Sequence, residues 1–386
     1  MADAPAHRIA LITSSFAPHF GGVEEHVDQV AKQLHARGHR VEVWTVDRGE
    51  RPRHPFVGDD GAEIAVRYLR TPLPARSTAA MLRFGVRWPM AWRSWRRAHR
   101  SLRPDVLHVH CFGPNGVYAD ALHRRFGTPL VITSHGETVA DDNNVYARSA
   151  FLRTRLRRAL ATADAVTAPS RFVLDDLSAN YGLGEGTVVP NGVDLDVEPV
   201  EPLQRSEYLF AVGRLGAVKG FDLLIDAFAR ARPVGVTLLI GGDGPERDAL
   251  ERHAAEAELE DVISFLGRLS PGEVDGYMRA AAAVVVPSRS EAFGIVALEA
   301  WRAGAPLVMT NRGGAGEFVR DGEDGLLIDP TDVDALAETL TRVASDKRLR
   351  AEIGARGHAR VQEFTWPEAA RQYRRLYDSL ASGEEQ

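Results

Sequence analysis

A single cysteine, Cys111, occurs among 386 residues, which excludes an intramolecular disulfide and fits a reducing cytoplasm. Cys111 ends the apolar run Val106–His110, where an inert buried thiol is expected rather than a nucleophile. No apolar stretch approaches the roughly eighteen residues of a membrane-crossing helix. The start, Met1-Ala2-Asp3-Ala4-Pro5, lacks the basic and apolar regions of a signal peptide. Internal repeats and low-complexity tracts are also lacking, apart from the acidic tail Glu384-Glu385-Gln386. What is present, 44% apolar and 26% charged residues, describes a soluble globular protein too long for one ordinary core. Two domains of similar size are expected.

Charge divides the chain unevenly. Residues 1–190 carry 25 Lys/Arg against 19 Asp/Glu, net +6, and the remainder 22 against 34, net −12. The halves therefore differ in their partners, and the acidic second half argues against nucleic-acid binding. Short β-branched runs alternate with longer amphipathic stretches in both. The pattern predicts strands at Arg8–Thr13, Arg40–Val46, Val106–His110, 129–133 and Ala165–Ala168, then at 208–212, 237–240, 262–266, Ala283–Val286 and 306–309. Strands without polar alternation, each followed by a helical pattern, imply parallel sheets covered on both faces, hence two doubly wound α/β domains. The boundary is placed near Pro190-Asn191-Gly192, with 197–204 as a Pro-containing connector. Trp366-Pro367 opens a last helical pattern with Tyr373, Leu376 and Leu380 on one side.

The chemistry concentrates between Pro287 and Ala300. An apolar run leads into Ser288-Arg289-Ser290-Glu291-Ala292-Phe293-Gly294, and the helical segment that follows is apolar almost all round except for Glu299. A carboxylate on a buried helix is costly without a partner, so Glu299 is expected to face a polar ligand or an internal donor. Small residues between Ala292 and Gly294 allow backbone N–H groups at the positive helix end to approach an anion such as phosphate. Arg214 and Lys219, five residues apart after strand 208–212 and flanked by Gly213, Gly216 and Gly220, are placed to converge on a pyrophosphate; alone, they would read as solvated loop cations.

The Glu291 to Glu299 spacing resembles the E-x7-E motif of retaining glycosyltransferases with the GT-B fold, most closely glycosyltransferase family 4. Other matches follow in the same order: Pro18-His19-Phe20-Gly21-Gly22-Val23-Glu24, His135-Gly136, Asn191-Gly192-Val193-Asp194, Gly213-Arg214-Leu215 with Lys219-Gly220, Gly242-Asp243-Gly244-Pro245, Phe265-Leu266-Gly267 and Asp324-Gly325-Leu326-Leu327. The resemblance covers about residues 8–375. It implies an α/β GT-B fold, two doubly wound Rossmann-like domains facing a central cleft. An acceptor-binding domain would span 1–190, with a crossover helix 367–386 returning to it, and a donor-binding domain 191–366. It further implies catalytic roles for His135, Glu291, Arg214 and Lys219. Donor contacts would come from these and from Gly21, Gly22, Gly213, Gly242, Arg268, Leu269, Phe293, Gly294, Ile295, Val296 and Glu299. No cofactor and no metal are implied. Asp194-Leu195-Asp196 is accordingly declined as a metal motif, since it lies in the interdomain turn. A nicotinamide fingerprint at Gly242-Asp243-Gly244 is declined too, because Arg247 stands where a small residue is needed.

The expected reaction moves a hexose-type sugar from a nucleotide diphosphate donor, with UDP the expected nucleotide, to a hydroxyl of a small-molecule or lipid-linked acceptor. A phosphorylase on the same scaffold and a non-catalytic nucleotide-sugar binder are the alternatives. Glu137, Asp141 and Asp142 form an acidic loop after His135 that could recognise an amine on the acceptor. His108 and His110 alternate onto one strand face, but a third metal ligand is not evident, and structural roles are expected. Residues 83–103 hold seven arginines and no acid, interleaved with Trp88, Trp92 and Trp95. Such a stretch fits a helix laid on an anionic membrane surface, a peripheral contact at the inner face. It also fits a helix whose tryptophans, at i, i+4 and i+7, pack inward while arginines stay wet.

Overall fold

The computed structural model describes residues 6–19, 21–74, 78–139, 145–202 and 206–382. Asp141 and Asp142 lie outside the described residues. The chain divides into two compact units, one of residues 1–138, 144–190 and 366–386, the other of 139–143 and 191–365.

In the first unit the strands are β1 (Arg8–Thr13), β2 (Arg40–Val46), β3 (Ala65–Leu69), β4 (Val106–His110), β5 (Leu130–Thr133), β6 (Ala165–Ala168) and β7 (Thr187–Val188). They pair in parallel in the order β3-β2-β1-β4-β5-β6-β7. The order reverses between β1 and β4, where Thr13 aligns with His110. A crevice at the carboxyl ends of strands on either side of such a reversal is where ligands bind in sheets of this kind. The helices Gly22–Ala36 and Trp366–Ser382 cover one face, burying Val27, Val30 and Leu34 with Tyr373, Leu376 and Tyr377. Periodicity of 3.6 residues accounts for both stripes.

The second unit contains β8 (Glu207–Val212), β9 (Val236–Gly241), β10 (Ile263–Gly267), β11 (Ala283–Val286), β12 (Leu307–Thr310) and β13 (Leu326–Ile328), parallel in the order β10-β9-β8-β11-β12-β13. Here the reversal falls between β8 and β11. Two apolar layers sandwich the sheet, one containing Phe221, Leu224, Leu336 and Leu340, the other Phe210, Phe293, Trp301 and Phe318. Because both faces are covered, the strands read as continuous apolar runs.

The strands expected from sequence form within a residue or two of their predicted bounds. β3, β7 and β13 were not anticipated. β7 and β13 have two and three residues, and β3 is a partly exposed edge strand containing Arg67, so none carries a strong apolar signal.

The helix Thr78–Leu102 answers the two readings of its tryptophans differently along its length. Trp95 is fully buried against Trp44 and Tyr118 and donates its indole N–H to the Arg70 carbonyl at 3.2 Å. Trp88 is 43% exposed and stacks only on its neighbour Trp92. The inward-packing reading therefore holds at the C-terminal half and fails at the N-terminal half, where Leu82, Val86 and Met90 are 74%, 64% and 57% exposed.

Candidate active site

The second unit gathers its polar side chains at the β8/β11 reversal. After β8 the chain runs through Gly213 and Arg214 into the short turn Ala217–Lys219, closed by Gly220. Gly220 has φ +66°, and a Cβ there would stand 2.1 Å from the Pro287 carbonyl oxygen, so only glycine lets this turn lie against the segment after β11. The contact brings Lys219 Nζ to 2.6 Å from Glu291 Oε2, and Ser288 Oγ donates to the same oxygen at 2.9 Å. The Glu291 backbone is fixed from the other side, its N–H donating to the Arg312 carbonyl at 3.0 Å and its carbonyl accepting from Gly314 N–H at 2.9 Å. Arg289 anchors the segment through two hydrogen bonds to Asp222, at 2.7 and 2.6 Å. Burial works to raise the Asp222 carboxyl, but the Arg289 guanidinium outweighs it and holds it below the usual carboxylate range.

Gly294 starts the helix Ile295–Arg302 with φ +96° and faces both the Met309 side chain and the Glu291 stem, where a Cβ would collide. One turn further, Glu299 is half-buried. Burial raises its carboxyl above the ordinary value, an effect that Arg302 offsets in part and Asp275 reinforces. Arg302 does not pair with it. That guanidinium donates instead to Asp275 at 2.9 Å and to the Asp194 carbonyl at 3.0 Å. The Glu299 carboxylate therefore makes no hydrogen bond among the described residues, and the exposed Arg214 guanidinium has no ion-pair partner among them either. An acceptor pair and a cation both lacking partners, with a Lys–Glu pair nearby, suit a ligand rich in hydroxyls and negative charge.

Other expected donor residues contribute differently. Phe293 is buried and stacks on Phe318 at 4.4 Å between centroids, so only its backbone is available to a ligand. Gly242 lies against the Gly213 carbonyl, 1.9 Å from where a Cβ would be. Arg268 is solvent-exposed and 3.3 Å from Asp243, while Leu269 packs into the core layer of Phe210. Ile295 and Val296 are half-buried. Asp194 accepts from the Asp196 N–H at 3.0 Å, a local turn.

In the first unit the corresponding reversal carries imidazoles. Gly21 and Gly22 open the helix Gly22–Ala36 after β1, and His26 lies on the buried stripe of that helix. His135, just beyond β5, is half-buried; its Nε2 is 3.1 Å from His110 Nδ1 and its ring meets the His26 ring edge at 4.6 Å. Burial, with smaller contributions from the neighbouring imidazoles, holds His110 and His135 well below the ordinary histidine value, so both are neutral. His108 is structural: its Nδ1 bonds to the Tyr377 hydroxyl and its Nε2 to Thr133 Oγ1, each at 2.6 Å.

Glu137 requires a correction. Expected to face an acceptor, it is turned back under its own loop, where its carboxylate accepts from the Phe112 N–H (3.0 Å), the Ser134 hydroxyl (2.9 Å) and the His135 N–H (2.7 Å). Three convergent donors are a better environment for this carboxylate than a solvated loop, and Glu137 fixes the backbone of His135. Cys111 is inert in the same region, its thiol pushed up by burial and by Glu137. Sequence reasoning missed His26, Ser288 and the Arg312–Gly314 loop. Only His26 left a signal, a histidine set into an apolar helical stripe.

Comparison with known proteins bears on both units. Residues 20–197 match the family described as Glycosyltransferase Family 4, and residues 194–360 the family described as Glycosyl transferases group 1. The chain is 31% identical to a D-inositol 3-phosphate glycosyltransferase of Frankia alni, covering 92% of this chain and 94% of that protein. It is 30% identical to a glycogen synthase of Mycobacterium tuberculosis, covering 98% and 96%. Among solved structures, sucrose-phosphate synthase from Thermosynechococcus elongatus superposes with a TM-score of 0.83 at 26% identity, over 97% of this chain and 99% of that one. Anabaena HepE, solved with UDP and glucose, shares the fold with a TM-score of 0.75 at 24% identity, over 97% and 100%.

Proposed function

The chain belongs to the GT-B glycosyltransferases of the family 4 type, and from that premise we propose that it transfers a hexose from UDP-hexose to an acceptor hydroxyl, with retention of anomeric configuration and without a metal ion. The observation that carries this reading is the group at the β8/β11 reversal: Lys219 held on Glu291, with the Arg214 guanidinium and the Glu299 carboxylate making no polar contact among the described residues. Glu299 takes the two ribose hydroxyls, and Arg214 and Lys219 take the pyrophosphate with the amides around Gly294. Glu291 and His135 hold sugar hydroxyls. UDP as the nucleotide is supported by HepE, a relative in fold that was solved with it.

In this account the acceptor oxygen attacks the anomeric carbon from the face the leaving group vacates. The bond from that carbon to the β-phosphate oxygen breaks, its electron pair stays on the phosphate, and the same phosphate oxygen takes the acceptor proton. Charge grows on the diphosphate as the bond breaks, so Arg214, Lys219 and the helix start stabilise the transition state more than the ground state. The two cations do the work a divalent ion would otherwise do. The test is incubation of UDP-hexoses with acceptor in EDTA, with the product anomer read by NMR. Turnover with the donor's anomeric configuration supports the reading, and an inverted product or dependence on magnesium contradicts it.

One observation favours a lipid-linked acceptor over a soluble one. Leu82, Val86 and Met90 recur every four residues on the outward face of the helix Thr78–Leu102, and that face continues as Arg93 and Arg97. Exposed apolar side chains beside arginines fit an anionic bilayer. Sedimentation with phosphatidylglycerol vesicles, lost in Val86→Asp/Met90→Asp, supports membrane contact; equal sedimentation of both proteins opposes it.

A further inference from the structure

The first unit holds a trio of imidazoles that sugar transfer uses only in part. His26, His110 and His135 each offer a ligand nitrogen, and the three nitrogens lie within 4.8 Å of one another. They come from the helix Gly22–Ala36, the end of β4 and the loop after β5, so three separate segments converge at one strand reversal. His26 and His110 are buried, and His135 is half-buried.

Two details distinguish this trio from ordinary aromatic packing. His110 makes no hydrogen bond through Nε2, so its ring's one hydrogen bond among the described residues is to His135. The two nitrogens that face one another, His110 Nδ1 and His135 Nε2, are 3.1 Å apart. Tetrahedral zinc with Zn–N bonds of about 2.0–2.1 Å sets its ligand nitrogens about 3.3 Å apart, so this pair is already at ligand spacing and the third needs only a side-chain adjustment. Supporting contacts are also in place: the Tyr373 hydroxyl lies 3.2 Å from His26 Nε2, and Glu137 accepts from the backbone N–H of His135 at 2.7 Å, which holds its main chain.

We propose that His26, His110 and His135 form a binding site for a borderline transition-metal ion of the zinc class, and that the bound ion switches sugar transfer off by taking the nitrogen of His135. Three imidazoles suit zinc, cobalt or nickel and are poor ligands for magnesium, which requires oxygen. Metal binding stands on geometry alone; only the switch rests on the reading of His135 given above.

The test uses the full chain, free of any histidine tag and stripped with EDTA. Cobalt is titrated while visible ligand-field absorption is followed, and zinc binding is measured by calorimetry. Wild type and the exposed-site control His54→Gln are expected to bind one ion per chain, with affinity at least about tenfold weaker in His26→Gln and His110→Gln. No binding by wild type, or equal binding by all four proteins, overturns the site. Circular dichroism checks that each variant folds, and His26→Gln, on a surface helix, carries the test if His110→Gln does not. With UDP-hexose turnover as a second readout, zinc is expected to lower the wild-type rate at least about tenfold and magnesium to leave it unchanged. Zinc that binds through these histidines without slowing turnover overturns the switch and supports the site. Zinc binding by a chain inactive even in EDTA supports the site and points to failure of the transfer reading instead.

Discussion

The two units solve the same topological problem with opposite chemistry. Each is a doubly wound parallel sheet whose strand order reverses once, and each places polar side chains at that reversal. In the first unit these are imidazoles packed edge-on against tyrosines and bonded to hydroxyls: His108 to Tyr377 and Thr133, His26 to Tyr373. In the second they are full charges, either paired at a buried carboxylate, as Lys219 with Glu291, or without an ion-pair partner among the described residues, as Arg214 and Glu299. A polar group that is internally satisfied contributes to stability, whereas one left unsatisfied in a folded protein is explained by a ligand. His108, at the first reversal, should therefore be sensitive to mutation mainly through folding, and Arg214 and Glu299, at the second, mainly through function.

Glu291→Ala sharpens this contrast most. It is expected to lower turnover by about 10³-fold or more, within the range seen when a preorganised transition-state contact is removed, and to cost about 1–2 kcal/mol in urea denaturation, because buried Ser288 loses its acceptor while half-buried Lys219 can turn to water. His108→Leu, at the other reversal, is expected to cost about 2–4 kcal/mol in urea denaturation, since it leaves the Tyr377 and Thr133 hydroxyls short of a partner. A His108→Leu protein of unchanged stability would break the comparison.

Glu299→Gln probes a carboxyl kept in place against its own desolvation. Burial raises this group in the folded state, so its ionised form opposes folding above the raised value, and that penalty fades as pH falls through it toward the ordinary carboxylate value of about 4.3. In the absence of nucleotide, Glu299→Gln is expected to be as stable as wild type or more so at neutral pH, with the difference shrinking on acidification. Denaturation at a series of pH values measures it. The smallest effect concerns Arg289 and Asp222. Because both are partly exposed, a double-mutant cycle should give about 0.5–1 kcal/mol. The Asp222 carboxyl lies below its ordinary value, so this contribution is present above about pH 4 and is lost as pH falls through the lowered value.

The same contrast explains what the sequence disclosed. The second site was legible because its residues are close in sequence, Arg214 to Lys219 and Glu291 to Glu299, and the strand and helix between them fix their relative placement. The first was legible only at His135. His26, His110 and Tyr373 meet from segments separated by up to hundreds of residues, and nothing in one sequence shows that such segments touch. Glu137 was misread because a loop carboxylate is ordinarily solvated, and its three donors include two backbone N–H groups that no side-chain pattern reveals. The tryptophans of the helix Thr78–Leu102 followed core spacing throughout, yet only Trp95 found a core. Spacing defines a helix face and not the length over which the fold covers it.

The central claim is that the unpartnered charges of the second unit await a nucleoside diphosphate. Calorimetric titration of UDP in EDTA into wild type, Arg214→Ala and Glu299→Gln tests it most directly. The account predicts metal-free binding by wild type, weakened at least about tenfold in each variant through loss of a charge-assisted contact, with unchanged melting temperatures in the absence of UDP. Failure of wild type to bind UDP, or equal binding by all three proteins, would contradict it.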